Sequence, residues 1–189
     1  DPAIAADMSK CGIALVDEPI DVLPAFIAYL GGDMKNIGIT DLEAVEVALA
    51  NVSDYIKVVS SDSYIVSMSE GKYCVTWGYS GDIFAARDTA KQNGKGTLVY
   101  NVPKEGSQLW FDLLVIPNKS KNKDGAYQLL NYMLKPEVAA ANTNFLQYAN
   151  AVLNSAPFIE PELLKDPGLY PPKSVLKRLT VQPPMALNV

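Results

Sequence analysis

Short apolar runs of strand length alternate along this chain with amphipathic runs of helix length, and no other feature limits the fold as much. A strand over 12–17 (GIALVD) leads into a helix over 21–30, which Gly31 and Gly32 stop. Thr40, with Glu43 three residues on, forms a capping box that opens a helix running to about Val58. A helix over 62–70 precedes Gly71, and a strand rich in Val, Thr and aromatic residues covers 73–79. Ser80-Gly81-Asp82 reads as a turn into a helix over 83–92, closed by Asn93-Gly94. Strands at 97–102 and 109–116 follow, with a turn over 103–106 between them and Pro117 after them. Amphipathic spacing predicts a helix over 124–134, and Pro136 at a first turn opens another over 136–144. Beyond Asn150 the chain is Pro-rich, with short helical pieces at 161–165 and 173–179. Such alternation argues an α/β layered fold with a largely parallel sheet. Ligands of these sheets sit at the carboxyl ends of strands. The segment Gly78-Tyr79-Ser80-Gly81-Asp82 lies at such an end.

Composition removes several function classes. The 189 residues suffice for one good core and are marginal for two full domains. Sixteen Lys and Arg against 21 Asp and Glu leave a net charge of −5, so no nucleic-acid partner is expected, because phosphate contacts need clustered base. The acidic balance is compatible with a cationic partner. Histidine is absent, which takes away the commonest general base and the commonest metal ligand. Ser-His-Asp and Cys-His mechanisms are thereby excluded, and two cysteines cannot complete an all-cysteine zinc site. No enzyme, metal or cofactor is expected.

Cys11 and Cys74 each stand at the edge of an apolar run. Two buried free thiols are one reading. A disulfide between neighbouring strands, formed in an oxidising compartment, is the other. Closing a loop of roughly 60 residues would add about 4 kcal/mol on the chain-entropy account. No signal peptide and no apolar run of membrane-spanning length appears. The opening Asp1-Pro-Ala-Ile-Ala-Ala-Asp-Met-Ser-Lys runs almost at once into a strand, which reads as the start of a mature or cut piece of something longer.

Two stretches set acids beside aromatics: Cys74-Val-Thr-Trp-Gly-Tyr-Ser-Gly-Asp82 and Val102-Pro-Lys-Glu-Gly-Ser-Gln-Leu-Trp-Phe-Asp112. A ring covers methylenes and attracts a cation, and a carboxylate takes an ammonium. Two such pairs point to an amine with more than one charge. Asp82 also suits the N-cap of the following helix. A phosphate loop fits poorly there, since no Lys-Ser/Thr follows and a carboxylate repels phosphate. Asp112, inside Leu-Trp-Phe-Asp-Leu-Leu-Val-Ile, is expected to be a strand-interior carboxylate with a partner or a task. Trp110 would share its strand face. Glu18 and Asp21 follow the first strand, either as a solvated helix start favoured by the dipole or as further acids at the same sheet edge. Tyr79, Trp77 and Tyr148 are aromatics that suit either core or site.

These segments, with Lys135-Pro-Glu137 and Asp166-Pro-Gly-Leu-Tyr-Pro-Pro172, run in an order that resembles periplasmic putrescine/spermidine-binding proteins of ABC importers, over nearly the whole chain. The resemblance covers only the latter part of a family member. It implies a type II periplasmic solute-binding fold, mostly the second lobe, with a parallel-rich mixed sheet flanked by helices. Residues 1–109 and 149–189 would form the second lobe, and 110–148 a strand and helix of the first lobe, whose remainder is absent. Asp82 and Asp112 match the acids that hold an ammonium, and Trp110 matches an aromatic beside the alkyl chain. Asp21 matches an acid for another amine, and Glu18 a position acidic in spermidine-preferring relatives. Tyr148 matches a hinge-side tyrosine. Tyr79 departs from the pattern, because relatives usually carry Trp there. Cys11 and Cys74 match a pair that can be bridged. The implied partners are a polyamine and an ABC permease at the membrane, and the implied location is periplasmic.

An ammonium about 4 Å from a carboxylate gains around 4 kcal/mol at an effective dielectric near 20, and desolvation takes back much of it. Ring contacts add roughly 0.5–2 kcal/mol each. Micromolar binding needs about 8 kcal/mol, so several pairs must act together. A chain with one lobe missing is expected to bind weakly or not at all, and to self-associate through an exposed apolar interlobe face. Two other functions compete. One is a polyamine-sensing module that signals to a membrane receptor. The other is a glycosidase using Asp82, Asp112 and Glu105, which the aromatic spacing does not support.

Overall fold

Ile13-Ala-Leu15 becomes the centre of a parallel sheet because both of its neighbours are rich in β-branched residues. In this computed structural model, which describes residues 2–181, β1 (Ile13–Leu15) pairs with β2 (Ile56–Val59) on one side and β3 (Val75–Thr76) on the other. The register sets Leu15 against Val59 and Ala14 against both Val58 and Thr76. Parallel neighbours require crossovers, and helices provide them. α2 (Pro19–Tyr29) and α3 (Ile39–Ala50) lie between β1 and β2, and α4 (Tyr64–Ser69) between β2 and β3, while α1 (Pro2–Cys11) precedes β1 and α5 (Ser80–Gln92) follows β3. Ala14, Val16, Val22, Tyr64 and Ile83 form the buried cluster under the sheet. A second parallel pair joins β4 (Ser107–Gln108) to β5 (Leu179–Thr180). All three pairings are parallel, as the alternation of strands and helices requires.

The chain divides into two units. The first holds residues up to Trp110 together with those from Lys173 onward, and the second is Phe111–Pro172. The second contains α6 (Lys123–Met133), α7 (Pro136–Leu146), a 3-10 turn over Leu153–Phe158 and α8 (Pro161–Lys165). Ala139, Ala140, Thr143, Ser155, Ile159 and Leu169 are its buried residues. Asn150 knots it together. Its amide donates to Thr143 Oγ1 at 2.9 Å, and its carbonyl accepts from Ser155 Oγ at 3.0 Å and from the Val152 N–H at 2.8 Å. The last helix, α9 (Lys173–Leu176), returns to the first unit.

Several expected elements differ. The helix expected from Thr40 to Val58 stops at Ala50, and Ile56–Val59 is a strand. Ile-Lys-Val-Val suits a pleated surface, and the pairing with β1 decides the matter. That helix is capped two residues earlier than expected: the Asp41 carboxylate accepts from the Gly38 N–H at 2.8 Å, whereas Thr40 and Glu43 lie inside the helix. Ser80-Gly81-Asp82 is the first turn of α5 rather than a separate turn. The strand over 73–79 contracts to Val75–Thr76, and 97–102 and 109–116 form no strand among the described residues. A backbone run becomes a strand only where another strand meets it. Residues 107–108 find one in 179–180, which also takes over the end of the helix expected over 173–179. The helix over 2–11 was not anticipated.

Cys11 and Cys74 are joined in a disulfide, with their Cα atoms 5.5 Å apart. The bond ties the end of α1 to the residue before β3. No described helix is long and apolar enough to cross a membrane.

Candidate functional site

The carboxyl ends of the three paired strands each lead to a helix that opens on a candidate site residue. β1 runs into α2, with Glu18 at its N-cap and Asp21 in its first turn. β2 leads to α4, which opens on Tyr64. β3 leads to α5, with Tyr79 at its N-cap and Asp82 in its first turn. Because β1 lies between the other two strands, these helix starts share one sheet edge. A carboxylate in a first turn is also favoured by the helix dipole. Tyr79 holds the cap position, so Asp82 is not the N-cap of α5.

Two tyrosine–aspartate pairs organise this edge. The Tyr79 hydroxyl donates to Asp21 Oδ2, and the Tyr64 hydroxyl donates to Asp82 Oδ2. Tyr64 Oη also accepts from the Tyr79 backbone N–H at 3.4 Å, which links α4 to the start of α5. The Tyr64 ring is wholly buried, and glycine at position 78 makes room for it: a Cβ there would stand 2.5 Å from the ring. Asp21 is 6% exposed, and its second oxygen, Oδ1, is buried without a hydrogen-bond partner. Glu18 is exposed and Asp82 half-buried.

Three carboxylates act on one phenol. Burial raises the pKa of Tyr79 well above the ordinary phenol value. The hydrogen bond to Asp21 adds to this, as do the negative charges of Asp21, Glu18 and Asp82. Glu18, Asp21, Tyr79 and Asp82 are therefore one electrostatic group. Among the described residues, no set of acids or cysteines is arranged to hold a metal ion. A group that attracts positive charge and offers acceptors without metal geometry suits an organic cation.

The remaining expected site residues are carried by other segments. Trp110, 46% exposed, closes the first stretch of the first unit. Asp112 and Tyr148 belong to the second unit, and both are exposed. Asp112 is not a strand-interior carboxylate. Phe111, Leu113, Leu114 and Val115 around it are exposed too, because no described strand pairs with this run. The shared strand face of Trp110 and Asp112 does not arise for the same reason. Tyr148 follows Gln147, whose left-handed φ of 57° ends α7.

An apolar cavity of about 600 Å³ lies between α2 and α3, lined by Phe26, Tyr29, Val47, Trp77 and Glu105 among others. None of Glu18, Asp21, Tyr79 and Asp82 lines it. Tyr64 was missed as a site residue. Its only signal in the sequence was a tyrosine at the start of a helix after a β-branched run.

The chain is similar to known proteins over most of its length. A family model described as bacterial extracellular solute-binding protein matches residues 10–171. The chain is 34% identical over 177 residues to the putrescine-binding periplasmic protein SpuD of Pseudomonas aeruginosa, covering 93% of this chain and 48% of that protein. It is 35% identical over 174 residues to the putrescine-binding periplasmic protein PotF of Escherichia coli, covering 91% and 47%. Among solved structures, the spermidine/putrescine ABC transporter substrate-binding protein PotD of Streptococcus pneumoniae matches with a TM-score of 0.78 at 30% identity, covering 96% of this chain and 56% of the other. A putative spermidine/putrescine ABC transporter protein of Listeria monocytogenes matches with a TM-score of 0.84 at 29% identity, covering 98% and 56%. The chain thus spans about half the length of the curated relatives it matches.

Proposed function

Because the chain belongs to the bacterial extracellular solute-binding protein family, we propose that it serves to bind a polyamine, putrescine or spermidine, outside the cytoplasm and to deliver it to an ABC importer. The observation that carries this reading is the gathering of Glu18, Asp21 and Asp82 round the Tyr79 phenol at the carboxyl edge of the sheet. Such an edge takes protonated amines and repels phosphates and carboxylates. The printed names of the relatives, putrescine-binding and spermidine/putrescine-binding, point the same way. The family is one of binding proteins, so the glycosidase reading is set aside.

In this proposal Asp82 receives an ammonium group in the first unit, with Asp21 as the acid for a further one and Glu18 adding charge beside them. Trp110 covers the alkyl chain, and Asp112 and Tyr148 are further ligand residues. Residues 1–109 and 149–189 act as the second lobe of a two-lobed protein, and 110–148 as part of the first. The ABC permease is the partner, and the disulfide suits an oxidising, periplasmic location.

Thermal denaturation with a ligand panel tests the proposal. A millimolar amine supplied at ten times its Kd stabilises by about 1.4 kcal/mol, a readable rise in Tm. Putrescine and spermidine are expected to give that rise, sugars and neutral amino acids none. Asp82→Asn should abolish it. Equal shifts with sugars, and none with polyamines, would refute the proposal.

A further inference from the structure

The two acids of this edge are held in different ways, and the difference bears on which amine the edge accepts. The partner of Asp82 is Tyr64, whose ring is wholly buried beneath Gly78 and cannot leave without opening the core. The partner of Asp21 is Tyr79, which is only half-buried and stands at the helix boundary on extended backbone (φ −76°, ψ 143°). A side chain in that place can rotate while the sheet and both helices stay intact. Asp21 keeps one oxygen, Oδ1, buried with no hydrogen-bond partner. Because Oδ1 is closed off from solvent, the oxygen through which an ammonium could approach Asp21 is the one the phenol holds.

We infer that Tyr79 is a specificity-determining residue whose hydroxyl occupies the seat of an ammonium on Asp21 and so biases this edge against amines that carry a third charge. The inference rests on the polyamine reading given above. A diamine satisfies the edge with one ammonium at Asp82 and leaves the Tyr79–Asp21 bond in place. A triamine brings a second ammonium to the same edge, and the acid left for it is Asp21. That ammonium must displace the phenol O–H before it can use the carboxylate, so part of its binding free energy goes into breaking a bond the resting protein already has. With an aromatic that lacks the hydroxyl, Asp21 would stand open and the third charge would bind without that loss.

The test is NMR titration of the chain, wild type and Tyr79→Phe, with putrescine as the diamine and spermidine as the triamine. Phenylalanine keeps the ring and removes the donor. The expected result is a change in the ratio of the two Kd values of about tenfold in favour of spermidine, the scale of one hydrogen bond to a charged group. Asp21→Asn placed on top of Tyr79→Phe should erase that gain. If Tyr79→Phe does not fold, Asp21→Asn alone serves: it should weaken spermidine more than putrescine. An unchanged ratio, or a shift towards putrescine in Tyr79→Phe, overturns the inference while leaving polyamine binding intact. Binding of neither amine to the wild type overturns the polyamine reading itself.

Discussion

The stretches 74–82 and 102–112 contain nearly the same ingredients, a tryptophan and an acid a few residues apart, yet they fold into opposite environments. In the first, Val75–Thr76 pairs with the central strand, Tyr64 packs under Gly78, and Asp82 is held by a buried hydroxyl. In the second, Ser107 and Gln108 are the only residues in a strand pairing among the described residues. Beyond them Trp110, Phe111, Leu113, Leu114 and Val115 are all exposed. The lesson is that an aromatic beside a carboxylate becomes a preorganised site only where a neighbouring strand fixes the backbone that carries it. Apolar neighbours alone do not bury an acid.

Matched truncations in the two stretches are the strongest way to break this comparison. Tyr64→Ala removes a wholly buried ring and the donor to Asp82, and large-to-small changes of this kind cost about 3–5 kcal/mol. Phe111→Ala, at a side chain 59% exposed, should stay within about 0.5 kcal/mol. Urea denaturation of both variants measures the difference. Equal costs would mean that the second stretch is as well packed as the first.

A smaller effect sharpens the same point through pH. Burial, with the hydrogen bond to Asp21, raises the pKa of Tyr79 in the folded chain above the ordinary phenol value of about 10, so the protonated phenol is the form the fold favours. The stabilisation is fully present below pH 10, and is lost as pH rises through the higher folded value. Stability should therefore decline above about pH 10, and the decline should be shallower in Tyr79→Phe. Denaturation midpoints of the two proteins across the alkaline range check this. Parallel curves would show that Tyr79 is not the group responsible.

Much of the first unit was legible because its signals are local. Gly12 to Asp17 is apolar and bounded, Gly31-Gly32 ends α2, and Asn93-Gly94 ends α5. The segment 78–82 could be placed at the carboxyl end of a strand from the order of strands and helices alone, whereas Asp21 suited a solvated helix start as well as that edge. The rest depended on contacts distant in sequence. Ile56–Val59 continues an apolar pattern that looks helical until β1 is there to pair with it. The role of Tyr64 lies in a bond to a residue 18 positions away. The exposure of Asp112 reflects a missing strand partner, which the string Leu-Trp-Phe-Asp-Leu-Leu-Val-Ile does not disclose.

The central claim is that the helix starts after β1 and β3 form one seat for a protonated alkyl amine. Mapping the backbone amide shifts of the chain during a putrescine titration tests it most directly. The account predicts saturable shifts concentrated at residues 18–22 and 78–83, lost in Asp82→Asn, with a Kd of about 1 mM or tighter. Shifts confined to the cavity between α2 and α3, or spread evenly over the acidic surface and unaffected by Asp82→Asn, would contradict it.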